Sequence, residues 1–164
     1  MAHSEKEQFL QAWEKEYQTT LKVFKAYPAA RADLRPHPKS PTASELAWRM
    51  VGEESLFING VINGQINFSG QPAAPSTLGE ILQTYEKNHK EWTAKLRGVP
   101  DDVLNRNIKF MVAPKTPGDV RSGDILWFFL MDTIHHRGQF SVYLRMADGK
   151  VPSIYGPSGD EPWM

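Results

Sequence analysis

An aspartate and a histidine four residues apart are the pair in this sequence best placed to do chemistry. Asp132 and His136 lie within residues 125–156, a stretch that is otherwise strongly apolar. On a helix, residues four apart project from one face at about 5–6 Å, a geometry by which one helix can supply two ligands to a metal ion. His135 points away from that face and needs a different partner. The spacing alone leaves two interpretations open, a metal-ligand pair or a hydrogen-bonded core histidine at His136.

The apolar run at residues 125–131 predicts that this helix lies in the middle of a bundle, because a helix that is apolar on most sides has no face suited to water. We predict that the helix runs from about residue 122 to 147, with Gly149 as a left-handed cap. Gly138 stands in its middle, where glycine costs roughly 1 kcal/mol relative to alanine. Such a glycine indicates the close approach of a neighbour.

Three further segments have the spacing of amphipathic helices. We predict helices at about residues 4–26, 42–63 and 76–97. A serine or threonine followed three residues later by a glutamate lies at the start of each segment, which is typical of a capping box. The boxes are Ser4 with Glu7, Thr42 with Glu45, and Thr77 with Glu80.

A long connection separates the third and fourth helices. Within it we predict a short helical turn at residues 100–104 and some strand character at 108–112. Residues 151–164 are expected to pack back across the bundle, with Tyr155 and Trp163 as anchors. The predicted fold class is all-α, a four-helix bundle with a long loop between helices three and four.

The composition excludes several kinds of partner. Nineteen basic and nineteen acidic residues give no net charge, which disfavours nucleic-acid binding through bulk electrostatics. The absence of cysteine excludes disulfides and any thiol nucleophile or ligand from the chain itself. Residues 1–9 lack the apolar core of a signal peptide, and residues 125–131 are too few to cross a bilayer. We therefore predict a cytoplasmic protein of one domain, residues 1–164, with neither nucleic acid nor membrane as a partner.

Three phrases in the sequence carry a family resemblance: HHRGQFSVYLR at 135–145, VPSIYGPSGDE at 151–161 and ELAWRM at 45–50. Through them the chain resembles the DinB/YfiT-like family of small helical bundles, from its first helix to its tail. The resemblance implies a four-helix bundle, often a homodimer, that holds a divalent metal with three histidines. One histidine is on the second helix, and two form H-x-x-x-H on the fourth. It also implies kinship with thiol-dependent transferases and isomerases that use glutathione-like thiols.

Two of the three histidines implied by the resemblance are replaced in this sequence. His136 matches the last of them, but Asp132 stands four residues before it, and Arg49 ends the phrase on the second helix. Arginine stays protonated and cannot be a metal ligand, whereas an arginine–carboxylate pair can be bidentate and directional. We therefore predict that a salt bridge between Arg49 and Asp132 takes the place of the metal, and that no cofactor is bound.

Two other arrangements remain open. Asp132, His136 and Glu53 could form a rebuilt, oxygen-rich site for a divalent metal (Zn, Ni or Mn), with Arg49 turned aside. Alternatively, Arg49 pairs with Glu53, its neighbour one turn along the second helix. His89 on the third helix is expected to have a structural or solvent-facing role, because the resemblance places no site residue there.

Three functions follow from the resemblance and the composition. The first is a thiol S-transferase-like or hydrolase-like enzyme, with His136 and Gln139 as catalytic residues beside a bound anionic thiol. That thiol must arrive as a cosubstrate because the chain has no cysteine. The second is a non-catalytic small-molecule-binding or stress-response bundle, and the third is a divalent-metal enzyme with the rebuilt site. A homodimer is expected from the resemblance alone.

Overall fold

Four α-helices make up most of the chain that the structure describes. The computed structural model describes residues 3–70 and 72–164; Met1 and Ala2, which belong to the N-terminal segment considered above, and Gln71 lie outside these ranges. The predicted helices are confirmed with ends within two residues, and all three predicted capping boxes are formed. The helices are α1 Glu5–Lys25, α2 Ala43–Asn63, α3 Leu78–Gly98 and α4 Ser122–Met146.

A short turn and a β-hairpin occupy the connection between α3 and α4. A 3₁₀ turn spans Asp101–Asn105, and the strands β1 Asn107–Ala113 and β2 Thr116–Arg121 pair antiparallel. The predicted turn and the strand character of β1 are confirmed. The strand β2 was not predicted, because its sequence TPGDVR contains three residue types that are depleted in strands. The fold is therefore helical with one small two-stranded sheet.

The helices do not pack in their sequence order. The extensive helix–helix contacts are those of α2 with α3 and α4, and of α1 with α4 and α3. Consecutive helices α1 and α2 are thus not the main neighbours in the bundle. The site described below depends on the contact between α2 and α4. No helix in the described ranges is long and apolar enough to cross a membrane.

The core consists of two apolar clusters separated along the bundle by polar residues. One cluster contains Phe57, Phe129 and Leu130, and the other contains Met50 and Phe140. Glu53 and Glu54 lie between the two clusters on α2, and residues 132–137 of α4 carry the corresponding acidic, histidine and arginine side chains. The apolar residues on either side carry most of these side chains into the bundle: Glu54 and Arg137 are buried, and Glu53, Asp132 and His136 are largely so, whereas His135 is exposed.

Helix α4 is not surrounded by the rest of the chain, so the prediction of a fully interior helix is wrong. Phe128 and Met131 are exposed, with fractional exposures of 45% and 62%. A Cβ added at Gly138 would meet no atom within 4 Å, so the expected close neighbour is also absent from the described chain. The left-handed residue after α4 is Asp148, with φ of 59°, rather than the predicted Gly149.

The C-terminal segment is tied to the bundle by polar contacts. The Tyr155 hydroxyl donates to Glu16 Oε2 at 2.6 Å and accepts from the buried Arg137, which confirms the predicted anchor. Asp160 pairs with Arg145 at 2.5 Å. Tyr155 is itself 61% exposed, so it anchors the segment through its hydrogen bonds to Glu16 and Arg137. Trp163 is 64% exposed and has no hydrogen bond or ring contact with the described residues, so its predicted role as a second anchor is wrong.

Candidate metal centre

Three potential ligand side chains converge between α2 and α4. His136 Nε2 lies 3.5 Å from Asp132 Oδ2 and 3.8 Å from Glu53 Oε1. One ligand atom from each of the three residues lies within 4.8 Å of the others. The expected placement of Asp132 and His136 on one helix face is thereby confirmed. The contact with Glu53 comes from the facing helix.

The local sequence explains how the three side chains are presented. Asp132 and His136 stand one turn apart on α4, so both point towards α2. Glu53 follows the buried Met50 by three residues and precedes the buried Phe57 by four, which places it near the apolar face of α2. The packing of that face on α4 fixes the distance between the two helices and therefore between the ligands.

All three side chains are largely shielded from water. The exposed fraction is 18% for the Glu53 side chain, 27% for Asp132 and 12% for His136. Burial raises the pKa of the Glu53 carboxyl to about 7, and the negative charge of Asp132 acts in the same direction, while Arg49 opposes them. The positive charge of Arg49 therefore cancels only part of the pKa increase that burial and the Asp132 charge cause at Glu53.

Glu53 also has an unsatisfied oxygen. Its Oε2 atom is buried and has no hydrogen-bond partner among the described residues. An ionised carboxylate in this position needs a cation or hydrogen-bond donors to offset its desolvation. Two carboxylates and one imidazole form a donor set that suits a divalent first-row metal ion. The residues present therefore fit a divalent cation.

Gln139 is placed to orient His136. Its Oε1 atom lies 3.1 Å from His136 Nδ1, so the imidazole can donate from Nδ1 and keep its Nε2 lone pair for a ligand. The amide nitrogen of Gln139 lies 3.0 Å from His135 Nε2, which gives His135 the separate partner expected for it. The two predicted catalytic residues, His136 and Gln139, are thus adjacent.

Arg49 does not pair with Asp132 within the described structure. No hydrogen bond or ion pair of 4.0 Å or less joins the two side chains, and Arg49 is exposed on α2. The alternative pair between Arg49 and Glu53 is not formed either. The Arg49 charge acts on Glu53 only from a distance, where it opposes part of the increase in the Glu53 pKa. The three residues of the rebuilt site are together, with Arg49 outside their cluster.

A second buried polar network is centred on His89, whose structural role was expected but whose partners Glu54 and Glu14 were not. His89 on α3 is 4% exposed, with Nδ1 at 2.8 Å from Glu54 Oε1 and Nε2 at 3.0 Å from Glu14 Oε2. Its ring also stacks on Tyr17, with centroids 3.6 Å apart. The spacing contained a signal, because Glu54 lies four residues before the buried Ile58 and so belongs to the apolar face of α2.

Comparison with known proteins decides the family. The model of the DinB family matches residues 1–163 of this chain. The chain belongs to the DinB family. The expected four-helix fold and the family resemblance are therefore both confirmed.

One sequence relative and two solved structures are similar to this chain over most of its length. An uncharacterized protein, YrdA of Bacillus subtilis (strain 168), is 27% identical over 158 residues, which are 93% of this chain and 89% of YrdA. A DinB-like protein from Bacillus cereus ATCC 10987 has a crystal structure that matches with a TM-score of 0.76 and 23% identity, over 91% of this chain and 97% of that one. The DinB-like YjoA from Bacillus subtilis matches with a TM-score of 0.72 and 22% identity, over 90% and 97%. These two structures support the fold alone.

Proposed function

We propose that this DinB protein is a divalent-cation-dependent enzyme acting on a small molecule, with Glu53, Asp132 and His136 holding the cation. The observation that carries the proposal is the convergence of one ligand atom from each of these three side chains. In addition, the buried Oε2 atom of Glu53 has no hydrogen-bond partner among the described residues. Such an arrangement is costly without a cation, because it places two carboxylates together in a poorly solvated site.

The roles of the residues follow from their contacts. His136 offers Nε2 towards the two carboxylates, and Gln139 fixes the imidazole orientation from Nδ1. Glu53 gives up its proton when a cation is held, because the cation and the proton compete for the same carboxylate. A bound divalent cation supplies Lewis acidity, which lowers the pKa of a thiol or water beside it.

A thiol S-transferase is the reaction that the family resemblance favours. The chain has no cysteine, so the thiol must be a cosubstrate that enters from solution. The cavity beside His136 and Gln139, with a volume of about 390 Å³, gives such a molecule access to the site. Hydrolase-like activity would use the same groups with water in place of the thiol.

Cation uptake tests the proposal directly. Protein purified without chelator is analysed for metal content, and chelator-treated protein is titrated with Zn²⁺, Ni²⁺ and Mn²⁺ by calorimetry. We expect one cation per chain, with the affinity reduced at least tenfold in His136→Ala, since metal sites depend strongly on each ligand. His135→Ala is the matched control, because His135 is an adjacent exposed histidine outside the cluster. An absence of uptake, or equal loss in both variants, contradicts the proposal.

The reaction requires a separate assay. Consumption of glutathione with 1-chloro-2,4-dinitrobenzene reports thiol transfer, and release of nitrophenol from a nitrophenyl ester reports hydrolysis. We expect one of these activities in cation-loaded protein and its loss in His136→Ala but not in His135→Ala. Cation binding with neither activity would favour the non-catalytic binding bundle over the enzyme.

A further inference from the structure

The positively charged Arg49 side chain has no hydrogen bond or ion pair with the described residues. It is exposed on α2, one turn before Glu53. It lines two cavities, one of about 360 Å³ that also contacts Glu53 and one of about 390 Å³ that also contacts His136. A molecule that enters either cavity therefore meets the Arg49 guanidinium beside the Glu53, Asp132 and His136 cluster.

The first cavity is mainly apolar. Besides Arg49 and two glutamates, it is lined by Trp48, Leu56, Phe57 and Phe68. Phe57 and Phe68 both contact Phe110 of β1, with ring centroids 5.7 and 6.2 Å apart. Phe68 remains 55% exposed within this aromatic group. A partly exposed aromatic wall is suited to an apolar or aromatic ligand group.

The second cavity is more polar than the first and carries positive charge. Lys39 and Arg49 line it together with Ser40, His136 and Gln139. None of the described residues lining it is acidic. A carboxylate or another small anion in this cavity would find two cations and several hydrogen-bond donors, and an arginine is well suited to bind it bidentately.

The two cavities lie in a fixed order along the helices. Arg49, Glu53 and Phe57 are spaced by four residues on α2, so they share one face and are separated by about 6 Å per step along the axis. Helices α2 and α4 run antiparallel at this contact, since Phe57 contacts Phe128 and the earlier residue Glu53 contacts the later residue His136. The two cavities share Arg49 in their linings, and together they are called the groove. Its anionic end at Arg49 and its apolar end at Phe57 are therefore about 12 Å apart along α2, with Glu53 midway.

We infer that the groove binds an elongated amphipathic anion, with its anionic group at Arg49, its apolar or aromatic end against Phe57 and Phe68, and its central part beside Glu53, Asp132 and His136. The inference deepens the proposed function, on which it rests for the role of the central cluster. It assigns Arg49 to ligand recognition and to neither metal binding nor a salt bridge with Asp132.

Binding of 5-phenylpentanoate and its neutral amide tests the anionic end. Both probes are titrated by calorimetry into wild type and Arg49→Gln, with and without the cation that the protein takes up. We expect the amide to bind wild type about tenfold more weakly than the acid, and Arg49→Gln to lose that preference, because a charge-assisted hydrogen bond to arginine is lost in both cases. Lys90→Gln is the matched control, since it removes one positive charge from an exposed position on α3.

Phe68→Ala tests the apolar end. Phe68 is in a loop and half exposed, so its removal leaves the core intact. We expect Phe68→Ala to weaken the binding of 5-phenylpentanoate several-fold. The binding of acetate should be unchanged, because acetate has no aromatic group to contact Phe68. Trp163→Ala, which removes an exposed aromatic ring from the tail, is the control and is expected to bind both probes as wild type does.

The outcomes separate this inference from the cation proposal. Binding of the acid that depends on Arg49 in cation-free protein supports the inference, even where no cation is taken up and the proposed function fails. Acid binding equal in wild type and Arg49→Gln overturns it, even where the cation binds as proposed. Equal affinity of wild type for acid and amide, or no binding of the acid in either cation state, overturns it as well.

Discussion

Glu53 is the residue with the least favourable surroundings in the candidate site. It is buried beside a second carboxylate, its pKa is raised to about 7, and one of its oxygens lacks a partner among the described residues. Its neighbour Glu54 is also buried with a pKa raised to about 7, but it is hydrogen-bonded to His89. The two adjacent glutamates on α2 thus differ, because Glu54 is hydrogen-bonded to His89, whereas Glu53 has no hydrogen bond among the described residues and lies 3.8 Å from His136 Nε2.

Cation affinity is predicted to depend on pH through Glu53. Its pKa in the folded protein lies above the ordinary value, so the carboxyl keeps its proton up to about pH 7 and a cation must displace that proton. The apparent affinity should therefore rise as the pH increases from 5.5 to 7.5 and level off above that range. Titration calorimetry across this range, in buffers of different ionisation enthalpy, measures both the affinity and the protons released.

The raised pKa of Glu53 also makes the stability of the cation-free protein depend on pH. The folded protein binds the Glu53 proton more tightly than the unfolded chain does, in which the pKa is near 4.5. Protonated Glu53 therefore contributes to stability in full below about pH 4.5, and this contribution is lost as the pH rises through about 7. Replacing Glu53 by glutamine removes the dependence. A cation affinity that stays constant from pH 5.5 to 7.5 would contradict cation binding that displaces a proton from Glu53.

At the residue scale, the sequence predicted part of the site. The four-residue spacing placed Asp132 and His136 on one face, and Glu53 was included in one of the alternatives. The preferred pair of Arg49 with Asp132 depended on where a long, flexible side chain points. Helical spacing does not determine that direction, because the guanidinium can reach several positions from one Cα.

At the scale of elements, the polar layer in the middle of the bundle connects three helices through His89. The imidazole joins Glu14 of α1 to Glu54 of α2 and is itself on α3. Glu54 is fully buried, and one of its oxygens has no other partner in the described structure. The network therefore stabilises the packing of α1, α2 and α3 only as long as the imidazole is present.

His89→Ala is predicted to destabilise the protein by about 3–5 kcal/mol, because it leaves a buried carboxylate without its partner. Chemical denaturation followed by circular dichroism measures the change. Cation uptake by the folded fraction is expected to stay stoichiometric, since His89 is outside the metal cluster. His37→Ala, in an exposed loop, is the control with little expected effect. A loss below 1 kcal/mol would show that the network contributes little.

The sequence predicted the positions of the helices better than it predicted which surfaces pack against one another. Capping boxes and apolar spacing are local, so they located α1, α2 and α3 to within two residues. The strand β2 was missed because its pairing with β1, and not its own composition, makes it a strand. The exposure of Phe128 on α4 was missed for a similar reason, since an apolar side chain in the sequence does not reveal what packs against it.

At the scale of the whole molecule, the homodimer expected from the family resemblance stays a prediction. Helix α4 exposes a set of apolar side chains on one stripe that a second copy of the chain would cover. They are Phe128, Met131, Val142 and Met146.

Met131→Asp tests the dimer, because a charge in a buried apolar contact between copies is strongly unfavourable. Light scattering coupled to size exclusion is expected to give a dimer for wild type and a monomer for this variant. Val112→Asp, at an exposed position of the hairpin, is expected to remain a dimer. An equal mass for wild type and Met131→Asp would exclude this face of α4 as the interface.

Glu53, Asp132 and His136 are proposed to hold a divalent cation, and a crystal structure of protein loaded with Zn²⁺ would locate that ion. We expect an anomalous-scattering peak about 2.0–2.2 Å from a carboxylate oxygen of Glu53, a carboxylate oxygen of Asp132 and Nε2 of His136. A map with no peak there, in which the Arg49 guanidinium is paired with Asp132, would contradict the proposal and would establish the salt bridge in place of the metal.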